Sequence, residues 1–200
     1  MAINQHKLQE QIGFDDLLAG ADRDNERRHF ENKTAHLPGA MDEALLFYRA
    51  LLDEHHVAMI AADADEAMRL RNDAHLLARK FNGGEPGILA HDDAPGYVLG
   101  RETKAPDGQE PLWGQEATFV VAVGEMAILI EMDGIFGICG NYCYWPGFSA
   151  NVIDESKPFL SKTGYRSFLG IYSAPVAGMT PERFAREICE EYIETALKGG

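Results

Sequence analysis

The sequence predicts an α+β domain: an N-terminal helical hairpin, an antiparallel β-meander of about five strands, and a C-terminal helix packed on the sheet. Three observations carry this prediction. Ala117 to Cys139 consists of three short apolar runs separated by two-residue turns, Gly124-Glu125 and Asp133-Gly134. Residues 41–82 repeat apolar positions every three or four residues, the period of an amphipathic helix. The segment after Thr180-Pro181 does the same, with a hydroxyl to cap the helix and a proline at its first position.

Residues 1–36 are polar and read as an arm or weak helix. The run 22–33 mixes both charge signs and has almost no apolar content, as expected of a solvated helix or mobile arm. The α+β domain then covers 37–200, with the hairpin at 41–82, the sheet at 97–172 and the last helix at 180–198.

In the hairpin, the first helix carries Leu45, Tyr48, Leu52, His56 and Met59 on one stripe. The second carries Ala67, Leu70, Ala74, Leu77 and Phe81. Asp63 or Asp65 is a natural cap for its start, and Asn82-Gly83-Gly84 ends it. Residues 85–116 hold four prolines and read as a long loop in which only Tyr97-Val98-Leu99 resembles a strand.

The turns set the register of the meander. Gly124-Glu125 suits a type II′ turn, which pairs Val121 with Ile128 and Phe119 with Ile130 on one bulky face. Asp133-Gly134 suits a type I′ turn, which sets Met132 against Ile135, Ile130 against Gly137 and Ile128 against Cys139. Phe148–Ile153 and Tyr165–Tyr172 supply the further strands. In the last helix Phe184/Ala185, Ile188/Cys189, Tyr192/Ile193 and Ala196/Leu197 make a wide apolar stripe.

Composition narrows the function classes. Eighteen basic against 32 acidic residues give a net charge of −14, and residues 83–200 carry 8 of the basic and 17 of the acidic groups. Nucleic-acid binding by phosphate neutralisation is disfavoured, whereas a basic protein partner is favoured. No apolar run is long enough for a bilayer, and no secretory leader is visible, so neither membrane nor export is expected. Three scattered cysteines fit a reducing cytoplasm. Self-association stays open.

The chemistry-bearing residues are few. The register places Cys139 on the bulky face and the helical stripe holds Cys189, which leaves Cys143 as the accessible thiol. His91, Asp92 and Asp93 cluster in the long loop, where an imidazole and two carboxylates suit acid–base work. All seven histidines precede Cys143, so a papain-like order of nucleophile and base is absent. His55, His56 and His75 are staggered along the hairpin too far for shared metal coordination and are expected to be satisfied by packing. No metal site, phosphate loop or serine elbow is recognisable, and no cofactor is implied. Tyr142, Tyr144, Trp145 and Phe148 form an aromatic turn that either caps the core or lines a ligand surface.

The expectation is a small acidic cytoplasmic binding or regulatory protein acting through a protein partner, and not an enzyme. The alternative is an enzyme or ligand-binding domain whose pocket, at the sheet end, is built by the 85–116 loop and the 142–148 turn. His91, Asp92, Asp93 and Cys143 would then supply its chemistry.

Overall fold

The structure, a computed structural model, describes residues 3–88, 93–138, 140, 142–154, 161 and 163–198, with side chains described between Leu18 and Thr195. It divides into two compact units, residues 1–38 and 39–200.

The first unit is one helix, α1 (Ile3–Lys33). Its described part is laced by exposed pairs such as Arg27–Asp24 at 2.9 Å, the charged pattern of a solvated helix.

The second unit has the α+β architecture. Helices α2 (Met41–Ile60) and α3 (Ala64–Phe81) pack as an antiparallel hairpin. Asp63 caps α3 by accepting from the Glu66 N–H at 3.1 Å, and Gly83 and Gly84 end it at positive φ. The buried stripe of α2 includes Tyr48, Leu52 and Met59 as expected, with His55 rather than His56 in the core. On α3, Arg71 joins Ala67, Leu70, Ala74 and Leu77.

The sheet is a four-stranded antiparallel meander in the order β1 (Ala117–Val123), β2 (Met126–Met132), β3 (Phe148–Val152) and β4 (Tyr165–Phe168). The first hairpin has the expected register, with Val121 opposite Ile128 and Phe119 opposite Ile130. Gly124 turns it at φ +59°, which the Cβ of most residues resists. One face is buried (Phe119, Val121, Ile128, Ile130, Phe148, Ala150), while Val120, Ala122 and Ala127 on the other are exposed. Helix α5 (Pro181–Lys198) covers the buried face. Phe184 meets the Phe148 ring edge-on at 5.9 Å, and Tyr192 meets Phe168 at 5.6 Å. Its cap is the one expected, Thr180 Oγ1 accepting from the Arg183 N–H at 3.3 Å.

Three expectations are corrected. The segment after Asp133 is not a third strand. Asp133 N–H donates to Gly147 O at 3.0 Å and Ile135 N–H to Gly114 O at 2.9 Å, so the chain leaves the sheet. Ile135 and Phe136 are drawn instead into the helical layer, where the Phe136 ring stacks on Tyr48 at 5.4 Å. The apolar run from 135 was real but served another core. Ile130 therefore pairs with Ala150, not Gly137, and Ile128 with Val152, not Cys139, which lies outside the described residues.

Tyr97-Val98-Leu99 is likewise not a strand but the middle of helix α4 (Pro95–Glu102). Pro95 starts it, and Gly96 and Gly100, one turn apart, let it approach its neighbours. A Cβ at Gly96 would lie 2.6 Å from Ile88 Cγ2, and one at Gly100 would lie 2.6 Å from Glu116 Oε1. Last, β4 ends at Phe168, not Tyr172. With these changes the described sheet has four strands, not five.

Candidate functional site

The helical hairpin and the sheet are joined by a polar cluster absent from the expectations. Adjacent histidines of α2 grip the backbone of Trp113. His55 Nδ1 lies 2.8 Å from Trp113 O, and His56 Nδ1 accepts from Trp113 N–H at 3.1 Å. His55 Nε2 accepts from Arg71 Nε–H at 2.9 Å, which fixes the proton on Nδ1 and makes the imidazole neutral. Burial, then the Arg71 charge, hold its pKa down to about 3.

Arg71 is itself buried, and its guanidinium meets carbonyls in place of a carboxylate. It donates to Cys143 O at 2.6 Å and Tyr144 O at 2.7 Å. Burial lowers its pKa to about 10, so it remains charged near neutrality. His75, one turn on, pairs with Ile135 O at 3.2 Å. Thus α2 and α3 anchor both loops that carry the sheet's end. Gly114 is required here: it sits at φ +98°, and a Cβ would lie 2.9 Å from His55 Nδ1.

This arrangement decides the aromatic turn. Trp145 and Phe148 are buried, and Trp145 stacks on Phe184 with ring centroids 4.7 Å apart. Tyr144 is half-buried and donates to Met59 O at 3.3 Å. Only Tyr142, 89% exposed, faces solvent. Cys143, expected to be accessible, is 4% exposed, because Arg71 pulls its carbonyl inward. Cys189 is buried as expected, and burial pushes its thiol up to about 12. His91 and Asp92 lie outside the described residues; Asp93 is exposed just before α4. The hollow beside the aromatic turn, lined by Arg71, Gly114, Ile135 and Pro146 among others, has a volume of about 10 Å³. That is room for one water at most. Among the described residues no three His, Cys, Asp or Glu side chains converge as metal ligands. Nor is any helix among them long and apolar enough to cross a membrane.

Two half-buried carboxylates have raised pKa values. Burial, then the charge of Glu116, push Asp133 up to about 6, against an opposing hydrogen bond from the Ile138 backbone. Burial also raises Glu116, while Lys104 and Arg101 oppose the shift.

A wider concavity lies elsewhere, on the hairpin. A cleft of about 480 Å³ opens where α2 ends and α3 begins, lined by Val57, Ala58 and Ala61 and by the carboxylates Asp53, Glu54, Asp63 and Glu66. Among the described residues, none that lines it is basic. Val57, 66% exposed, is a large apolar side chain on an otherwise charged rim. The last turn of α2 has no basic residue, so the negative end of its dipole adds to the cleft's potential. Arg69 beside it pairs with Glu66 at 2.7 Å and Asp73 at 2.8 Å. A second cleft of about 360 Å³ lies further back along α2, lined by Arg49, Leu52, Asp53, Glu102, Thr103, Lys104, Leu112 and Gln115. The excess of acid was legible in the sequence, but its concentration in a concave site was not. That needed the hairpin turn, which brings Asp53 and Glu54 opposite Asp63 and Glu66.

No family model matches the chain, and no solved structure matches it. It is similar to two proteins from Escherichia coli, both named Protein KlcB. One is 32% identical over 155 residues, 77% of this chain and 37% of that protein. The other is 29% identical over 160 residues, 72% of this chain and 33% of that protein. The chain thus spans about a third of the length of the curated relatives it matches.

Proposed function

We propose that this chain is a non-enzymatic, cytoplasmic protein-binding module whose cleft at the α2–α3 tip receives a basic segment of a partner protein. The observation that carries the reading is the cleft itself: an apolar patch of Val57, Ala58 and Ala61 bordered by four carboxylates, of which Glu66 is paired with Arg69 and Asp53, Glu54 and Asp63 face the opening. An apolar side chain of the partner packs on Val57 and Ala61 while its flanking Lys or Arg side chains meet the carboxylates. Apolar burial supplies affinity, and the charges supply approach rate and choice of partner.

The global charge of −14 supports the same polarity and disfavours both nucleic acid and a second copy of this chain as the occupant. The polar residues that would suit acid–base chemistry elsewhere, His55 and His75, are bonded to the protein's own backbone.

The test is fluorescence anisotropy of a labelled peptide bearing four Lys or Arg around a central Leu-x-x-Leu, titrated with the full chain. Binding that weakens at least tenfold between 50 and 500 mM salt supports the reading, because exposed charges more than ~8 Å apart are already largely screened at physiological ionic strength. Absence of binding at low salt, or binding indifferent to salt, overturns it.

A further inference from the structure

Helix α2 carries two apolar stripes. One enters the core through Tyr48, Leu52 and Met59. The other faces outward: Leu46 is 67% and Val57 66% exposed, and Ala50 between them is exposed as well. Leu46 and Val57 are three turns of helix apart, so their directions differ by only about 20°. Leu46, Ala50, Asp53, Val57 and Ile60 follow one another at alternating steps of four and three, the spacing of a coiled-coil seam. Helix α2 packs on α3 and α4 by its other sides, and neither covers this one.

The outer stripe is bordered by exposed carboxylates. Asp42 lies on one side, Glu43 and Glu54 lie on the other, and Asp53 interrupts the row near its centre. Arg49 is the cation on that border, and it turns to Glu102 O at 3.5 Å. The row runs about 21 Å from Leu46 to Ile60 at 1.5 Å per residue. It ends at the acidic cleft, since Asp53 and Val57 belong to both.

Resting on the proposed binding role, we infer that the partner's basic segment is an amphipathic helix lying along the outer face of α2, from the cleft back to Leu46. Its apolar residues, also at steps of three and four, pack among Leu46, Ala50, Val57 and Ile60. One Lys or Arg within that row meets Asp53, and others beside it meet Glu43 and Glu54. An extended segment turns a side chain to one face about every 6.6 Å, out of step with a row that repeats about every 5.4 Å. A second copy of α2 fits the spacing but not the charge, because it sets Glu43, Asp53 and Glu54 against like residues.

The experiment titrates two labelled peptides with the full chain. The first has three heptads with Leu at a and d, one central Lys among them, and Lys or Arg at e and g. The second is the same peptide with two central residues changed to proline, which breaks the helix. The helical peptide should bind at least tenfold tighter and gain helical circular-dichroism signal on binding. Leu46→Gln, at an exposed position, should weaken the helical peptide about fivefold. The proline-broken peptide, which reaches only the cleft, should stay within about twofold. Equal binding of the two peptides, or indifference of the helical one to Leu46→Gln, overturns the helix inference and leaves basic-segment docking intact. Failure of both to bind overturns the docking reading and this inference with it. A wild-type chain that sediments as a dimer, with Leu46→Gln a monomer, assigns the face to a second copy and overturns the inference.

Discussion

Arg71 Nε lies 2.9 Å from His55 Nε2, a buried cation donating to a neutral imidazole across the α2–α3 hairpin. The pair is the hinge of the fold's wiring. Through His55 it fixes Trp113 at the entry to β1, and through the guanidinium it fixes Cys143 and Tyr144 before β3. Removing either partner leaves buried polar groups unsatisfied, which costs more than the bond itself returned.

Arg71→Ala should therefore destabilise the chain by about 3–5 kcal/mol, the range for stripping one member from a buried charged network. Urea melts at neutral pH measure this. A loss under about 1 kcal/mol would mean that water replaces the guanidinium at its carbonyls.

Cys143 should resist thiol reagents in the native chain about as well as Cys189, since the two are 4% and 0% exposed. Timed labelling with mass-spectrometric mapping reads this directly. Arg71→Ala should accelerate labelling at Cys143 but not at Cys189, because Cys143 lies in the released turn and Cys189 on α5. Rapid native labelling of Cys143 would contradict the buried placement.

Stability should depend on pH through opposing groups. Asp133, raised to about 6 by burial and Glu116, binds its proton more tightly folded than unfolded, so its contribution falls as pH rises from about 4 through 6. His55, lowered to about 3, does the reverse: the unfolded imidazole charges below about 6.5, so stability falls as pH drops towards 3. Asp133→Asn removes the first effect alone. It should gain about 1 kcal/mol at pH 7, allowing for solvent screening, and almost nothing at pH 4. The same change at both pH values would show that charge at Asp133 is not the cause.

Ile128→Ala should cost about 2–5 kcal/mol, since Ile128 is fully buried between Val121 and Val152. Denaturant midpoints at constant slope decide it. A cost under about 0.5 kcal/mol would place Ile128 outside the core.

The last two predictions show where the sequence is legible. Local turn chemistry at Gly124, the caps at Asp63 and Thr180 and the helical stripes each depend on neighbours in the chain, and each was readable. Asp133-Gly134 has the composition of a hairpin turn, yet Phe136 stacks on Tyr48 in the helical layer instead of extending a third strand. Tertiary packing overrode the local signal. Arg71 was unreadable for a related reason. An arginine on a helix is ordinarily solvated, and nothing nearby in sequence announces carbonyl partners some 70 residues on. His55 gave a weak signal, as one of two adjacent histidines flanked by apolar turns.

The acidic cleft carries the functional reading, and charge reversal at Glu54 tests it most directly. Glu54→Lys should weaken binding of the Lys/Arg-rich Leu-x-x-Leu peptide at least tenfold at 50 mM salt. Glu125→Lys, which changes net charge equally in the exposed β1–β2 turn, should stay within about twofold of wild type. If both variants lose affinity alike, the attraction is diffuse and the cleft is not the site; if neither does, no basic segment docks there.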